Sequence, residues 1–211
     1  MKKLYNVFLF TLLTLAVSGQ DKPKLIVGIV VDQMRYDYLL KFADDFGDGG
    51  FKELQQNGFN CTNVNYNYKP TYTGPGHASI FTGTTPAING IVANNWYDRS
   101  SKRKIYCVTL FDEAGNAYNS PERLKSETFS DGMKQYFGKE SKVYGVSLKD
   151  RGAILPVGHL ADGAYWFNDK TGQWVTSSYY TDQQGMKGFN ETDFNAYLKN
   201  GWTLSLPVFR L

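Results

Sequence analysis

The stretch PTYTGPGHASIFTG, residues 70–83, is rich in hydroxyl side chains and holds one of the two histidines of the chain. Pro75 suits the first turn of a helix because its missing N–H needs no partner there. Thr73 would then lie just before the start of a helix, where backbone N–H groups and the helix dipole attract anions such as phosphate. A hydroxyl activated by a metal could attack phosphorus at that point. Capping of the helix is the alternative role for Thr73.

Asp32 ends the apolar run KLIVGIVVD, residues 24–32. A carboxylate at the carboxyl end of a central parallel strand lies where α/β proteins bind ligands, and it offers a hard oxygen to a divalent metal. Its alternative role is to cap the helix that follows.

Lys149 and Arg151 lie two positions apart in SLKDRGAILP, residues 147–156. In extended chain this spacing points both cations the same way, which would create an anion site of phosphate size. A solvated charged loop is the alternative.

The elements around these residues predict an α/β fold. The β-branched run over 24–32 predicts a strand buried on both faces, and 142–148 a second buried strand. A strand is also predicted over 59–68, and hairpins over 94–110 and 163–180. Residues 111–126 are polar and turn-like. Helices are predicted over 34–46, 49–58, 127–138 and 191–201, and a further helix is predicted to begin at Pro75.

The first nineteen residues have a basic start, an apolar run and small residues, as a secretory signal peptide does. An N-terminal membrane anchor is the alternative, although the apolar run is short for a membrane span. We therefore expect one domain over residues 20–211, exported to the periplasm or the cell exterior, with no membrane anchor after cleavage. Residues 1–19 contain two lysines and no acid, so the formal charge falls from +3 to +1 without them. That balance gives no support for nucleic-acid binding.

Export would put Cys61 and Cys107 in an oxidising compartment. We expect one disulfide bridge between them, with two buried free thiols as the alternative.

The residues of four stretches, and the order of these stretches along the chain, resemble motifs of the alkaline phosphatase superfamily. They are VGIVVDQMRYDYL, PTYTGPGHASIFTG, GIVANNWYD and VSLKDRGAILP. The similarity is greatest to the bacterial phosphate-irrepressible branch, and it extends from about Pro23 to about Pro207. It implies a mixed, mostly parallel sheet with helices on both faces, incomplete in this chain.

The resemblance also implies roles for five residues. Asp32 corresponds to a ligand of one zinc ion in a two-zinc site, and Thr73 to the nucleophile that binds the same ion. Asn94, rather than its neighbour Asn95, corresponds to the residue that donates to a phosphoryl oxygen. Lys149 and Arg151 correspond to the pair that binds the remaining phosphoryl oxygens, and this pair favours monoesters over diesters.

The implied reaction is zinc-dependent hydrolysis of phosphate monoesters through a phosphothreonine intermediate. Members of the family are longer, and their other zinc ligands lie in a second half that has no counterpart here. His77 and His159 match no ligand position, so we expect both to be structural. We expect the 211-residue chain to be an inactive amino-terminal part of such an enzyme.

Two other functions remain open. A phosphodiesterase or nucleotide pyrophosphatase of the same superfamily would have similar residues around the nucleophile. A non-catalytic secreted module could instead bind a glycan through the aromatic residues of the carboxyl-terminal part, which are Tyr165, Trp166, Phe167, Trp174, Tyr179 and Tyr180.

Overall fold

The computed structural model describes residues 22–192 together with residues 199, 201 and 203. The chain divides into two compact units, Met1–Asn60 and Cys61–Leu211. The predicted signal peptide and most of the helix predicted over 191–201 lie outside the described residues. Within the described part, no helix has the length and apolar character needed to cross a bilayer.

The described residues of the first unit, 22–60, form short helices, α1 (Tyr38–Lys41) and α2 (Phe51–Asn57), with a 3-10 turn at Ala43–Asp45. The prediction for 49–58 is confirmed by α2, which ends where Gly58 N–H donates to the Leu54 carbonyl. The helix predicted over 34–46 is replaced by α1 and the 3-10 turn. None of these elements has a buried residue, and short helices without packing of an apolar face are marginal.

The strand predicted over 24–32 is wrong for this structure, because these residues are in no strand. Six aliphatic side chains of the run are 36% to 80% exposed, namely Leu25, Ile26, Val27, Ile29, Val30 and Val31. The strand predicted over 59–68 does not form either. A segment rich in β-branched residues becomes a strand only when a neighbouring strand pairs with its backbone N–H and C=O groups. Amino-acid composition does not show whether such a neighbouring strand is present.

The residues of the second unit that the structure describes form three small sheets. An antiparallel hairpin of β1 (Asn95–Asp98) and β2 (Arg103–Tyr106) confirms the one predicted over 94–110. A second antiparallel pair, β3 (Thr109–Phe111) and β4 (Ala117–Asn119), lies partly in the stretch predicted to be turn-like. Strands of three residues are too short to show an alternation of apolar and polar residues in the sequence.

The third sheet has the order β5-β6-β7, with β5 (Tyr144–Ser147) parallel to β6 (Gly163–Asn168) and β6 antiparallel to β7 (Gln173–Val175). The hairpin predicted over 163–180 is thereby confirmed. β5 lies within the predicted strand 142–148, but it is not buried on both faces: Tyr144 and Val146 are exposed and only Gly145 is buried. The fold is α/β, with a single parallel strand pair among the described residues.

The described part of the second unit also has the helices α3 (Thr73–Thr82), α4 (Pro86–Asn89), α5 (Phe129–Phe137), α6 (Asp150–Val157) and α7 (Lys187–Asn190). The helix predicted over 127–138 is confirmed by α5, which begins with a capping box between Thr128 and Asp131. The core lies around α3 and α6 and includes Ala78, Ile91, Val108, Ile154 and Leu155.

Helix α6 packs directly onto β5 through glycine. A Cβ atom on Gly145 would lie 2.2 Å from the Ala153 carbonyl oxygen, and one on Gly152 would lie 2.6 Å from Ser147 Oγ. The strand and the helix are therefore in backbone contact, which fixes where the first turn of α6 lies.

Candidate active site

Thr73 is the first residue of α3, and Pro75 lies in the first turn as predicted. The cap position belongs to Tyr72, whose side chain makes no capping hydrogen bond. The backbone N–H groups of a first helical turn have no acceptor within their own helix. The half-buried side chain of Thr73 therefore lies beside the positive end of a ten-residue helix.

Asn94 is anchored to this helix. Its Oδ1 accepts from Gly74 N–H at 2.7 Å, and its own carbonyl oxygen accepts from Cys107 N–H at 3.0 Å. Because Oδ1 faces a donor, the side-chain NH₂ group remains to donate elsewhere. A Cβ on Gly74 would lie 3.0 Å from Asn94 Oδ1 and 3.2 Å from Cys107 Sγ, so glycine is what permits this approach.

Lys149 and Arg151 lie at the junction of β5 and α6, and the extended spacing predicted for them is wrong. Lys149 has extended backbone angles and is the cap residue of α6, whereas Asp150 and Arg151 are already helical. The two cations thus flank the amino terminus of an eight-residue helix, an arrangement that also favours an anion.

Arg151 belongs to a hydrogen-bond network that its neighbours in sequence do not reveal. Its Nη1 donates to Tyr106 Oη at 2.7 Å, and that hydroxyl donates to Asp150 Oδ1 at 2.6 Å. Asn119 Nδ2 donates to Asp150 Oδ2 at 3.0 Å. Sequence reasoning missed Tyr106, Asp150 and Asn119; the one available signal was an acid between two cations at a helix start.

Cys107 links the two helix termini. Its thiol lies beside Gly74 of α3. Burial is the largest of the causes that raise the pKa of this thiol to about 12; the charge of Asp150 also raises the pKa, and the charge of Arg151 lowers it. Thr73, Asn94 and Arg151 therefore lie in one region of the second unit.

His77 extends the contact between α3 and α6. Its Nδ1 donates to the Thr73 carbonyl at 2.8 Å. Its Nε2 lies 3.8 Å from the position that a Cβ atom on Gly152 would occupy. His159 lies elsewhere, against Asp131 and the Leu124 carbonyl.

Asp32 is an exposed turn residue of the first unit, whereas the other predicted site residues belong to the second. Among the described residues, no group of three His, Cys, Asp or Glu side chains is arranged to hold a metal ion. A zinc site needs three or four protein ligands, so Asp32 and Thr73 do not make one by themselves.

The predicted disulfide bridge is wrong for this structure. Cys61 and Cys107 are both free, the first exposed and the second buried beneath Gly74. A thiol enclosed in the core has no route to an exposed partner without backbone movement.

The aromatic residues of the carboxyl-terminal part do not form one exposed surface. Tyr165 and Tyr180 are buried, with 4% and 3% of their surface exposed, and Trp174 packs edge to face against Phe167 and Phe189. An open cavity of about 400 Å³ lies between β7 and α7. Most of these aromatic side chains therefore contribute to packing.

The chain matches the family model of type I phosphodiesterase / nucleotide pyrophosphatase over residues 26–208. It is 44% identical over 201 residues to alkaline phosphatase PafA of Elizabethkingia meningoseptica, covering 90% of this chain and 37% of that protein. It is 42% identical over 208 residues to a protein named calcium-transporting ATPase from Myroides odoratus, covering 94% of this chain and 38% of that protein.

The crystal structure of wild-type alkaline phosphatase PafA superimposes with a TM-score of 0.83 at 42% identity. That match covers 92% of this chain and 39% of the solved chain. The chain thus spans about two fifths of the length of these relatives.

Proposed function

Because the chain belongs to the type I phosphodiesterase / nucleotide pyrophosphatase family, within the alkaline phosphatase superfamily, we propose that it carries the phosphoryl-binding groups of a phosphate monoester hydrolase. One observation carries the proposal. Nε of Arg151 is buried and has no hydrogen-bond partner within the described part of the chain. A buried guanidinium N–H without an acceptor is costly, and a phosphoryl oxygen would satisfy it.

The four residues proposed to bind and attack the phosphoryl group are Thr73, Asn94, Lys149 and Arg151. A solved variant of alkaline phosphatase PafA replaces residues of these four types. Its asparagine follows its threonine by 21 positions, as Asn94 follows Thr73, and its lysine and arginine are two positions apart. This agreement supports the assignment of the four residues as one functional set.

In the proposed reaction Thr73 is the nucleophile. A bond forms between Thr73 Oγ1 and phosphorus while the bond from phosphorus to the ester oxygen breaks; the Thr73 hydroxyl proton passes to solvent, and the ester oxygen takes a proton from solvent and leaves as the alcohol. Water then attacks the phosphothreonine, the Oγ1–P bond breaks, and phosphate and the Thr73 hydroxyl are released. The amino terminus of α3 and the NH₂ group of Asn94 stabilise the charge on the phosphoryl oxygens. Arg151 and Lys149 bind the unsubstituted oxygens, which a monoester has in greater number than a diester.

Zinc is the metal that we propose for the complete enzyme, with Asp32 and Thr73 among its ligands. Since these two do not complete a metal site, we expect the 211-residue chain to have no turnover of its own. A phosphatase assay with added zinc checks this, and turnover well above that of Thr73→Ala would contradict it. Export to the periplasm or cell exterior belongs to the same proposal.

Calorimetric titration with inorganic phosphate tests the binding site on this chain. We expect binding that Arg151→Ala weakens about tenfold or more, since a hydrogen bond to a charged group is lost. Lys170→Ala, which removes an exposed cation from the β6–β7 turn, is the matched control. Equal phosphate affinities of the two variants would reject the proposed site.

The substrate class is tested by comparing methyl phosphate with dimethyl phosphate. We expect tighter binding of methyl phosphate, because Lys149 and Arg151 gain an additional charged oxygen. Equal binding of both would favour a phosphodiesterase. Because one relative is named a calcium-transporting ATPase, ATP is included as a ligand whose terminal phosphate is also unsubstituted.

A further inference from the structure

Arg151 is held by one edge of its guanidinium group. Nη1 donates to the Tyr106 hydroxyl at 2.7 Å, and the guanidinium carbon lies 5.9 Å from the centre of the same ring. Nε is buried and is without a partner among the residues that the structure describes. The contact with Tyr106 thus orients the group while one buried donor remains for a ligand.

The direction of each hydrogen bond in this network follows from its chemistry. A carboxylate only accepts, so the single hydroxyl hydrogen of Tyr106 points to Asp150 Oδ1 at 2.6 Å. The oxygen lone pairs of Tyr106 are then left for Arg151 Nη1. Asn119 Nδ2 holds the other carboxylate oxygen at 3.0 Å, which fixes the plane of the carboxylate.

Tyr106 also separates two opposite charges. Nη1 of Arg151 lies 3.8 Å from Asp150 Oδ1, longer than a direct hydrogen bond, whereas both groups are within hydrogen-bond distance of the tyrosine oxygen. A direct bidentate pair with Asp150 would use the donors that an anion needs. The bridging hydroxyl holds the guanidinium through Nη1 and leaves Nε without an acceptor among the described residues.

We propose that Tyr106, held by Asp150 and Asn119, is a positioning residue that presents Nε of Arg151 to an oxygen of the bound phosphoryl group. The proposal rests on the function proposed above. Burial, followed by the hydrogen bond to Asp150, raises the pKa of Tyr106, so its hydroxyl keeps its proton at neutral pH.

The test uses Tyr106→Phe, which keeps the ring and removes the bridging oxygen. Tyr144→Phe is the matched control, since Tyr144 donates a similar hydrogen bond to Asp182 on the exposed side of β5. The first measurement needs no ligand: exchange with water of the Arg151 Nε–H, followed by nitrogen-15 NMR and assigned by its loss in Arg151→Ala. We expect Tyr106→Phe to accelerate this exchange about tenfold or more and Tyr144→Phe to leave it unchanged.

The second measurement is the affinity for inorganic phosphate in a double-mutant cycle. We expect Tyr106→Phe to weaken binding about tenfold in the wild-type background and to have no further effect in Arg151→Ala. A general loss of stability would act equally in both backgrounds and would overturn the proposal. So would unchanged exchange of the Nε–H in Tyr106→Phe.

The two proposals fail in different ways. If the wild-type chain binds no phosphate but Tyr106→Phe still accelerates the exchange, Tyr106 positions Arg151 and the proposed phosphoryl site is wrong. If phosphate binds and depends on Arg151 but not on Tyr106, the proposed site stands and the role of Tyr106 is rejected.

Discussion

Asp131 and His159 form an ion pair in which both imidazole nitrogens of His159 face acceptors. Nδ1 lies 3.4 Å from Asp131 Oδ2, and Nε2 lies 3.0 Å from the Leu124 carbonyl oxygen. Only the doubly protonated ring donates from both nitrogens. The carboxylate of Asp131 is 1% exposed and also accepts from the Leu160 N–H at 2.7 Å.

This pair should make stability depend on pH. The hydrogen bond that His159 donates to Asp131 raises the pKa of His159, so its contribution is complete below the unfolded value of about 6.5 and is lost as pH rises through the folded pKa. Burial opposes ionisation of Asp131, but its hydrogen bonds leave its pKa lowered, so that contribution is lost in acid. We expect urea unfolding to show maximal stability between about pH 4 and about pH 6.5 from this pair.

The substitution His159→Ala checks the source of that dependence. It should cost about 1–3 kcal/mol at pH 6, because Asp131 stays buried with one donor fewer. It should also flatten the decline in unfolding free energy as pH rises above about 6.5. An equally steep decline in the variant would assign the pH dependence to another group.

Gly74→Ala should disturb Asn94 without unfolding the protein. The added Cβ would lie 3.0 Å from Asn94 Oδ1, so the amide must shift and phosphate affinity should fall about tenfold. Gly76→Ala is the control on the same helix: its Cβ meets nothing within 4 Å, and it should raise stability by about 0.5–1 kcal/mol. Calorimetry with phosphate and urea unfolding measure both effects. Equal phosphate affinities in the two variants would contradict the role given to Asn94.

Gly158→Ala should be far more harmful than Gly172→Ala. Both glycines have a positive φ, 70° and 69°, so each substitution costs backbone strain of at least about 1–2 kcal/mol. The strain adds to the loss at Gly158, whose ψ of −153° lies in a region that almost only glycine adopts. A Cβ on Gly158 would lie 2.1 Å from Asp131 Oδ2, whereas on Gly172 it meets nothing within 4 Å. Urea unfolding should show a further loss of at least about 2 kcal/mol for Gly158→Ala. Similar losses would mean that the Asp131 network adapts freely.

The exposed aliphatic run of the first unit should promote aggregation. Val27 and Ile29 are 68% and 80% exposed within a β-branched stretch that is in no strand. Val27→Lys and Ile29→Lys should slow aggregation, followed by light scattering, with little change in stability. Ile88→Lys, at a 61% exposed position in the second unit, is the control. Equal slowing by all three would indicate a general charge effect.

Thiol labelling separates the two cysteines. Under native conditions one thiol, Cys61, should react quickly with an aromatic disulfide reagent, because Cys107 is buried and its pKa is raised to about 12. In denaturant both should react. If no thiol reacts until a reductant is added, the two cysteines are bridged after all.

Sequence patterns predicted the local elements better than the non-local ones. Helix α3 and the two hairpins over 94–110 and 163–180 depend on turn residues and periodicity that lie within each segment. The strand over 24–32 was wrong because pairing depends on a partner elsewhere in the chain. Cysteine pairing failed for a similar reason, since burial of Cys107 is set by the approach of Gly74.

The candidate site shows the same limit. The resemblance to known phosphatases led to Thr73, Asn94, Lys149 and Arg151, and their positions at helix termini agree with anion binding. The support for Arg151 was not predictable, because Tyr106 lies 45 positions away in sequence. No short motif records a hydrogen bond over that separation.

The direct packing of Gly145 against Ala153 has a consequence for anyone redesigning this site. The helix that carries Arg151 contacts the backbone of β5 where Gly145 meets the Ala153 carbonyl, so little room is left for it to slide towards the strand to accommodate a different ligand. Substitutions that alter ligand preference are therefore expected among the residues that hydrogen-bond the Arg151 guanidinium group. The backbone of β5 and α6 stays in place. Directed evolution should therefore find its adaptive changes around Tyr106 and Asn119 rather than along β5.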